Sequence, residues 1–249
     1  MGNRARLAVI LAAGSGSRLK NTVKDFPKGF LKLGNEPIIE ESLRKLLDCG
    51  IRRVIIVAGF LGDFYRKLSQ GYPCIHVVYN DRYADSGSMF SLFCAKDFIN
   101  EDFLLLESDL IYEQKALEAV QSFSKDNCIL LSGKTGSGDE VFAEVVNGKV
   151  KHLSKNRNEL GSVSGELVGI SRISKSLFKM MIKESEELFK ESIKFEYDTG
   201  CLALLANKTE VYSNKIDGLL WAEIDDEGHL KRAKEMIYPK ILASEKKFV

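Results

Sequence analysis

Gly14, Ser15, Gly16 and Ser17 stand between an apolar run, Leu7 to Leu11, and Arg18. Glycines there let main-chain N–H groups approach a ligand closely and can take positive φ, as a cradle for phosphate oxygens requires. Arg18, and Lys28 behind Pro27, add cations where charge gathers when a phosphoryl group changes partners. A G-x-G-x-x-G dinucleotide fingerprint would need a third glycine at position 19, where Leu19 stands. Gly133-Lys134-Thr135 imitates the end of a Walker A loop, but Cys128 holds the position where that motif opens on glycine. The chemistry indicated is polyphosphate binding, with catalysis by charge neutralisation rather than by a Ser-His-Asp or Cys-His set.

Asp109 follows the apolar run Phe103 to Leu106, so it emerges near a strand's carboxyl end, where open α/β sheets bind ligands. Asp225 ends another short segment, Ala222 to Asp225. Two carboxylates meeting there suit a hard divalent cation shared with substrate phosphates. The competing reading is a helix N-cap, open to Asp225 and to Asp226. Asp85-Ser86-Gly87-Ser88 reads either as a capped helix start or as backbone groups and a hydroxyl that meet a base edge. Lys155 and Arg157 lie just past an expected hairpin, and Asp139 and Glu140 just before it. They could hold the two ends of a small zwitterion, or form solvated surface. Tyr83, Glu166 and Asp198 are further candidates for lining that pocket. His76, His152 and His229 share no spacing and read as structural or exposed, and Trp221 as core or as a wall beside Asp225.

These residues need a scaffold that brings them together. Short runs rich in Ile, Val and Leu, at Leu7 to Leu11, Val54 to Ala58, Ile75 to Tyr79, Phe103 to Leu106 and Ile129 to Ser132, suit buried parallel strands. Helical stretches lie between them, at Pro37 to Cys49, Leu61 to Ser69, Ser88 to Ala95 and Glu113 to Ser124, an alternation that predicts a mostly parallel sheet covered on both faces. Later, Asn147-Gly148 predicts a hairpin joining Val141 to Val146 with Lys149 to Leu153. Leu167 to Ile170 returns to the sheet, Lys175 to Lys190 is an amphipathic helix, and Glu210 to Ile216 a further strand.

The 249 residues carry 36 basic and 35 acidic side chains, a net charge of +1. That balance gives no sequence-wide attraction to nucleic acid or to an anionic membrane, so phosphate binding must be local. No apolar run approaches the roughly 20 residues of a spanning helix. The five cysteines form no C-x-x-C pair and read as thiols in a reducing cytoplasm. One domain is expected over residues 1–242, with 243–249 a polar tail that permits a linker to a further domain.

The motif L-A-A-G-S-G-S-R-L at Leu11 to Leu19, with Pro27-Lys28 downstream, resembles the signature of the nucleotidyltransferases that make NDP-sugars and CDP-alcohols. N-D-R-Y-A-D at Asn80 to Asp85, Glu107-Ser108-Asp109 and Glu223-Ile224-Asp225 keep that family's order, and the likeness is nearest to 2-aminoethylphosphonate cytidylyltransferase and phosphocholine cytidylyltransferase. The resemblance implies a three-layer α/β/α Rossmann-like fold, with a predominantly parallel mixed sheet and an inserted β-hairpin. It implies Mg²⁺ on Asp109 and Asp225, with Lys28, Arg18 and Asp109 as the catalytic groups. CTP would rest on Leu11, Ala12, Ala13, Gly14, Ser15, Gly16, Ser17, Arg18, Lys28, Asp85, Gly87, Ser88 and Ser108, with UTP left open. A small phosphonate or phosphate amine would meet Tyr83, Asp139, Glu140, Lys155, Arg157, Glu166 and Asp198.

Choline-phosphate enzymes of this type carry a Trp after the Glu that begins the hairpin. Val141 stands there, which fits a primary ammonium and hence 2-aminoethylphosphonate. Phosphocholine, phosphoethanolamine and a sugar 1-phosphate are the alternative acceptors, and a non-catalytic nucleotide-binding regulator is the reading from another class. The oligomeric state, and fusion to a transaminase as in some relatives, stay open.

Overall fold

The apolar runs become strands buried on both faces. The computed structural model describes residues 4–19, 22 and 24–246. Every residue of β1 (Leu7–Ala12) is buried. Leu7, Val9 and Leu11 enter one core layer, and Ala8, Ile10 and Ala12 the opposite one, as the two-residue period of a strand requires. β2 (Arg53–Ala58), β3 (Ile75–Tyr79), β4 (Phe103–Glu107) and β6 (Cys128–Ser132) continue the pattern, with the short β5 (Leu110–Tyr112) between the last two. Helices α1 (Ile38–Asp48), α2 (Asp63–Gly71) and α4 (Lys115–Ser122) cover one face through Leu43, Leu46, Tyr65 and Leu117. Helices α3 (Ser88–Cys94) and α5 (Lys175–Leu188) cover the other through Met89, Leu92, Leu177 and Phe178. This is the expected three-layer α/β/α arrangement.

The hairpin is β7 (Phe142–Val146) and β8 (Lys149–Ser154), turned by Asn147 and Gly148 at φ 51° and 76°. β9 (Gly165–Ile173) and β10 (Tyr212–Ile216) complete a nine-stranded sheet of order β3-β2-β1-β4-β9-β6-β10-β8-β7. β9 runs against β4 and β6, and β8 against β10 and β7; the remaining strands share one direction. β7 also pairs with Gly165 and Glu166 of β9, which fastens the hairpin back onto the sheet.

Two features depart from the sequence reading. The segment before Asp225 is a strand, β11 (Trp221–Glu223), and it pairs antiparallel with β5, an element too short to stand out as an apolar run. The residues from Ala243 to Glu245 are not a loose polar tail. After the single turn α6 (Ala203–Leu205) come α7 (Glu227–Arg232) and α8 (Tyr238–Glu245), and α8 carries helix through Glu245. Glu245 sits 3.0 Å from the buried Lys45 ammonium and accepts a 3.0 Å bond from the Gln114 N–H. Lys247, Phe248 and Val249 lie outside the described residues.

Candidate active site

Asp109 and Asp225 are far apart in the chain, and the small β5–β11 ladder brings them together. Leu110 pairs with Glu223, and the Ile224 N–H donates to the Asp109 carbonyl at 3.2 Å. Main-chain geometry therefore fixes Asp109 one residue, and Asp225 two residues, outside the ladder. Lys28 arrives from the other side on a single 3₁₀ turn, Lys28–Phe30, started by the extended Pro27. Its ammonium pairs with Asp109 and lies 2.9 Å from Asp225 Oδ1. Arg18 reaches the same Asp225 oxygen at 2.9 Å and Asp139 at 3.6 Å.

Burial works against the Lys28 charge, but Asp109 and Asp225 outweigh it and hold the ammonium above the ordinary lysine range. Asp225 is buried as well, yet Lys28 keeps its carboxylate below the usual range. Burial, then the neighbouring Asp225, raise Asp139. Burial also raises Glu107, helped by Asp109 and Asp198, and raises Glu223, helped by Glu107 and Asp109. Negative charge is thus in excess around one lysine. Carboxylate oxygens in excess, two of them converging on one point, fit a hard divalent cation, and Asp109 and Asp225 could hold it.

These groups line a cleft of about 350 Å³ at the carboxyl ends of β1 and β4. Leu11, Ala12 and Ala13 form its buried wall, with the loop from Gly14 to Arg18 beyond them. Only Gly16 of that loop takes positive φ, at 61°; Gly14 does not, and a side chain there would meet only open space. Ser108 and Tyr83 reach the cleft, as do Gly87 and Ser88 at the start of α3. The Ser88 hydroxyl oxygen accepts from the Tyr197 N–H at 3.0 Å, which leaves its own proton to donate. Asp139, Glu140, Val141, Lys155 and Asp198 complete the sequence-predicted set within the cleft.

Three predicted residues fall elsewhere. Asp85 is half-buried, paired with Arg82 three residues away, and is not among the residues that line the cleft. Arg157 is exposed on the short turn Arg157–Glu159 and is not among the lining residues. Glu166 is buried behind the wall, where it accepts the Thr135 N–H at 2.7 Å and holds the 133–141 loop in place. Asp226, not Asp225, caps α7, accepting from the His229 N–H at 2.8 Å.

Of the two readings open to His229, structural or exposed, the first holds: it is 8% exposed, 3.1 Å from the Ser137 carbonyl and 3.7 Å from Asp139, outside the cleft lining. Other residues, in the cleft itself, lay beyond the sequence reading. Arg232 donates to the Thr135 carbonyl at 2.9 Å and lines the cleft beside it. Glu196 accepts the Ser88 N–H at 3.0 Å. Glu107 and Glu223 had a legible signal, because each stands two residues before a chosen aspartate, in Glu-Ser-Asp and Glu-Ile-Asp. Glu107 ends β4 and Glu223 ends β11, and each aspartate follows in the chain just past the strand.

Among known proteins, a CTP:phosphoglutamine cytidylyltransferase from Campylobacter jejuni subsp. jejuni is 29% identical over 244 residues, covering 88% of this chain and 95% of that protein. A 2-aminoethylphosphonate cytidylyltransferase from Lancefieldella rimae is 28% identical over 189 residues, covering 74% of each. The structure of the inositol-1-phosphate CTP transferase from T. maritima superposes with a TM-score of 0.83 at 19% identity, over 97% of this chain and 98% of that one. The family described as MobA-like NTP transferase domain matches residues 8–167, a span holding the Gly14–Ser17 loop, Lys28 and Asp109, and the chain belongs to that family.

Proposed function

We propose that this nucleotidyltransferase moves CMP from CTP to a small phosphonate or phosphate amine, with 2-aminoethylphosphonate the first candidate, releasing pyrophosphate. The observation that carries the reading is the Lys28 ammonium shared by Asp109 and Asp225 beside the Gly14–Ser17 loop. The two sequence relatives named above, both cytidylyltransferases by name, support cytidine as the base. The choice of an amine rests on the acids that crowd the cleft. Val141 on the cleft wall offers no aromatic face, which favours a primary over a quaternary ammonium.

A phosphonate oxygen is already anionic near neutral pH, so no side chain has to remove a proton before it attacks the α-phosphorus. The obstacle is repulsion between an anionic nucleophile and a triphosphate, which fixed positive charge and in-line placement lower. Main-chain N–H groups from Gly14 to Ser17 cradle the triphosphate. Arg18 steadies the departing β- and γ-phosphates. Lys28 stabilises the charge that grows on the α-phosphoryl oxygens, and Lys155 orients the anionic end of the acceptor. Mg²⁺ on Asp109 and Asp225 would supply further positive charge at the α-phosphate. The five free thiols suit reaction in a reducing cytoplasm.

The test is pyrophosphate release with four nucleotides against 2-aminoethylphosphonate, phosphoethanolamine, phosphocholine and a sugar 1-phosphate, with Mg²⁺ present. Turnover with CTP and a phospho- or phosphono-amine is expected. CTP binding without pyrophosphate release from any acceptor would favour a regulatory nucleotide-binding protein instead.

A further inference from the structure

Ser86 and Ser91 line the cleft beside α3, which shares a core layer with β1 through Leu11, Met89 and Leu92. The end of β1 contributes Leu11, Ala12 and Ala13 to the same lining, and none of these five residues is ionisable. The two serines belong to one hydrogen-bonded unit. At its centre is Asn80, the residue after β3, which is 1% exposed and whose main-chain N–H donates to the Ala58 carbonyl at 2.8 Å. Its side-chain nitrogen donates to the Ser86 hydroxyl and to the Ser91 hydroxyl, each at 3.0 Å. Its side-chain oxygen accepts from the Arg82 N–H at 2.9 Å.

The bond from Arg82 decides the polarity of the other two. A main-chain N–H can only donate, so the carboxamide atom that faces it is the oxygen, and the atom that faces the serines is the nitrogen. Both N–H bonds of the Asn80 side chain are thus spent on the serines. Each serine oxygen accepts, which leaves its own proton to donate. Among the described residues neither proton has an acceptor. Ser91 is 5% exposed, and a buried donor without an acceptor costs stability unless a ligand completes it.

We propose that Asn80 sets the base preference of this cleft by fixing Ser86 and Ser91 as a pair of hydrogen-bond donors, an inference that rests on the CTP-dependent transfer proposed for it. The triphosphate belongs with Arg18 and Lys28, and the uncharged stretch of lining is left for a base, whose faces are apolar. Cytosine presents two neighbouring acceptors, O2 and N3, and two serine protons satisfy them. Uracil keeps O2 but carries a donor, N3–H. A serine oxygen that already accepts from Asn80 would have to accept that N–H as well, and the proton of the same serine would then have no acceptor. Asn80 is not among the lining residues, so it is a positioning residue that acts through the two hydroxyls.

The test is the binding of CTP and of UTP, with Mg²⁺ present, by isothermal titration calorimetry, which needs no acceptor. Wild type is expected to bind CTP on the order of 10- to 100-fold more tightly than UTP, the cost of one buried donor left unpaired. Asn80→Asp keeps the shape of the side chain and reverses its polarity. One carboxylate oxygen still accepts from the Arg82 N–H, and the other accepts both serine protons, which turns serine lone pairs toward the base. That variant should bind UTP at least as tightly as CTP. Ser91→Ala removes one donor while Asn80 keeps Ser86 and Arg82, and it should weaken CTP by about tenfold and UTP by less than about threefold. If Asn80→Asp does not melt as a folded protein, Ser91→Ala alone decides. A purely structural Asn80 would weaken both nucleotides together, so an unchanged ratio of CTP to UTP affinity in these variants would overturn the proposal. Equal binding of the two by wild type would overturn it too, and would put the serines on the ribose or away from the nucleotide; transfer from CTP would stand in both cases. If wild type binds neither nucleotide, the proposed function itself fails, and this inference with it.

Discussion

Asp109 and Asp225 share the Lys28 ammonium, and Asp225 also meets Arg18. Two residues upstream of each, on the same strand ends, Glu107 and Glu223 meet no cation among the described residues. The four acids come from one repeated device, Glu-x-Asp at the close of a strand, yet they differ in what compensates them. The aspartates are held in place with a cation already among them. The glutamates have no such partner, and burial raises both carboxyls well above the usual range. The lesson is that residue type does not decide which acids of this cleft are compensated. The position of one lysine does.

The largest expected effect tests that division directly. Lys28→Ala removes the ammonium between two buried aspartates, and we expect turnover to fall by roughly 10²- to 10³-fold, as when a preorganised charge that meets the transition state is lost. Asp109→Asn should fall comparably, with circular dichroism unchanged in both. Measured with ethylphosphonate, which has no ammonium, Glu223→Gln should cost far less than Lys28→Ala. The reverse ranking would erase the distinction between the two ends of the cleft.

The Gly-Ser loop side of the cleft was legible in the sequence because it is nearly contiguous: strand, loop, Arg18 and Lys28 fall within one short stretch and line the cleft together. The parallel core strands were legible for the same reason, since their apolar runs are buried from both faces. The opposite wall was not. Glu196 and Arg232 reach the cleft only through contacts between distant segments, and no spacing along the chain announces them. Asp85 misled because proximity to Gly87 in sequence is not proximity of side chains: Arg82 holds it at the surface. Glu166 misled because it faces behind the wall, where Thr135 claims it. β5 was missed because three residues cannot display a period, although its pairing with β11 sets the aspartates.

A middle-sized effect comes from the seam that joins the two ends. Gly87 N–H donates to the Ile193 carbonyl, Ser88 N–H to Glu196, and Tyr197 N–H to the Ser88 hydroxyl. The backbones are so close that a Cβ on Gly87 would lie 2.2 Å from the Phe195 carbonyl oxygen. The obstacle is main chain, so it cannot swing aside as a long side chain does. Gly87→Ala should cost about 1–3 kcal/mol, which a chain of this size registers as a drop of roughly 2–4 °C per kcal/mol in the thermal midpoint. Because the seam carries both Ser88 and the Tyr197–Asp198 turn, KM should rise for nucleotide and acceptor together. A rise confined to one substrate would mean that the two ends are independent.

The smallest effect separates two neighbouring cations that the sequence treated alike. Lys155 lines the cleft, and its charge is felt by both Asp139 and Asp198. Arg157 stands on the exposed turn beyond, away from the lining. If Lys155 orients the acceptor's anionic end, Lys155→Ala should raise the acceptor KM by on the order of tenfold, the loss of one partly solvated charge-assisted hydrogen bond. Arg157→Ala should change KM by less than about twofold, as surface substitutions do. The CTP KM should stay unchanged in both. Initial rates across a range of acceptor concentrations decide it: a larger effect at Arg157 would require the turn after β8 to fold over the cleft during turnover, and the phosphonate would then be gripped by a surface that closes on it rather than by a prepared wall.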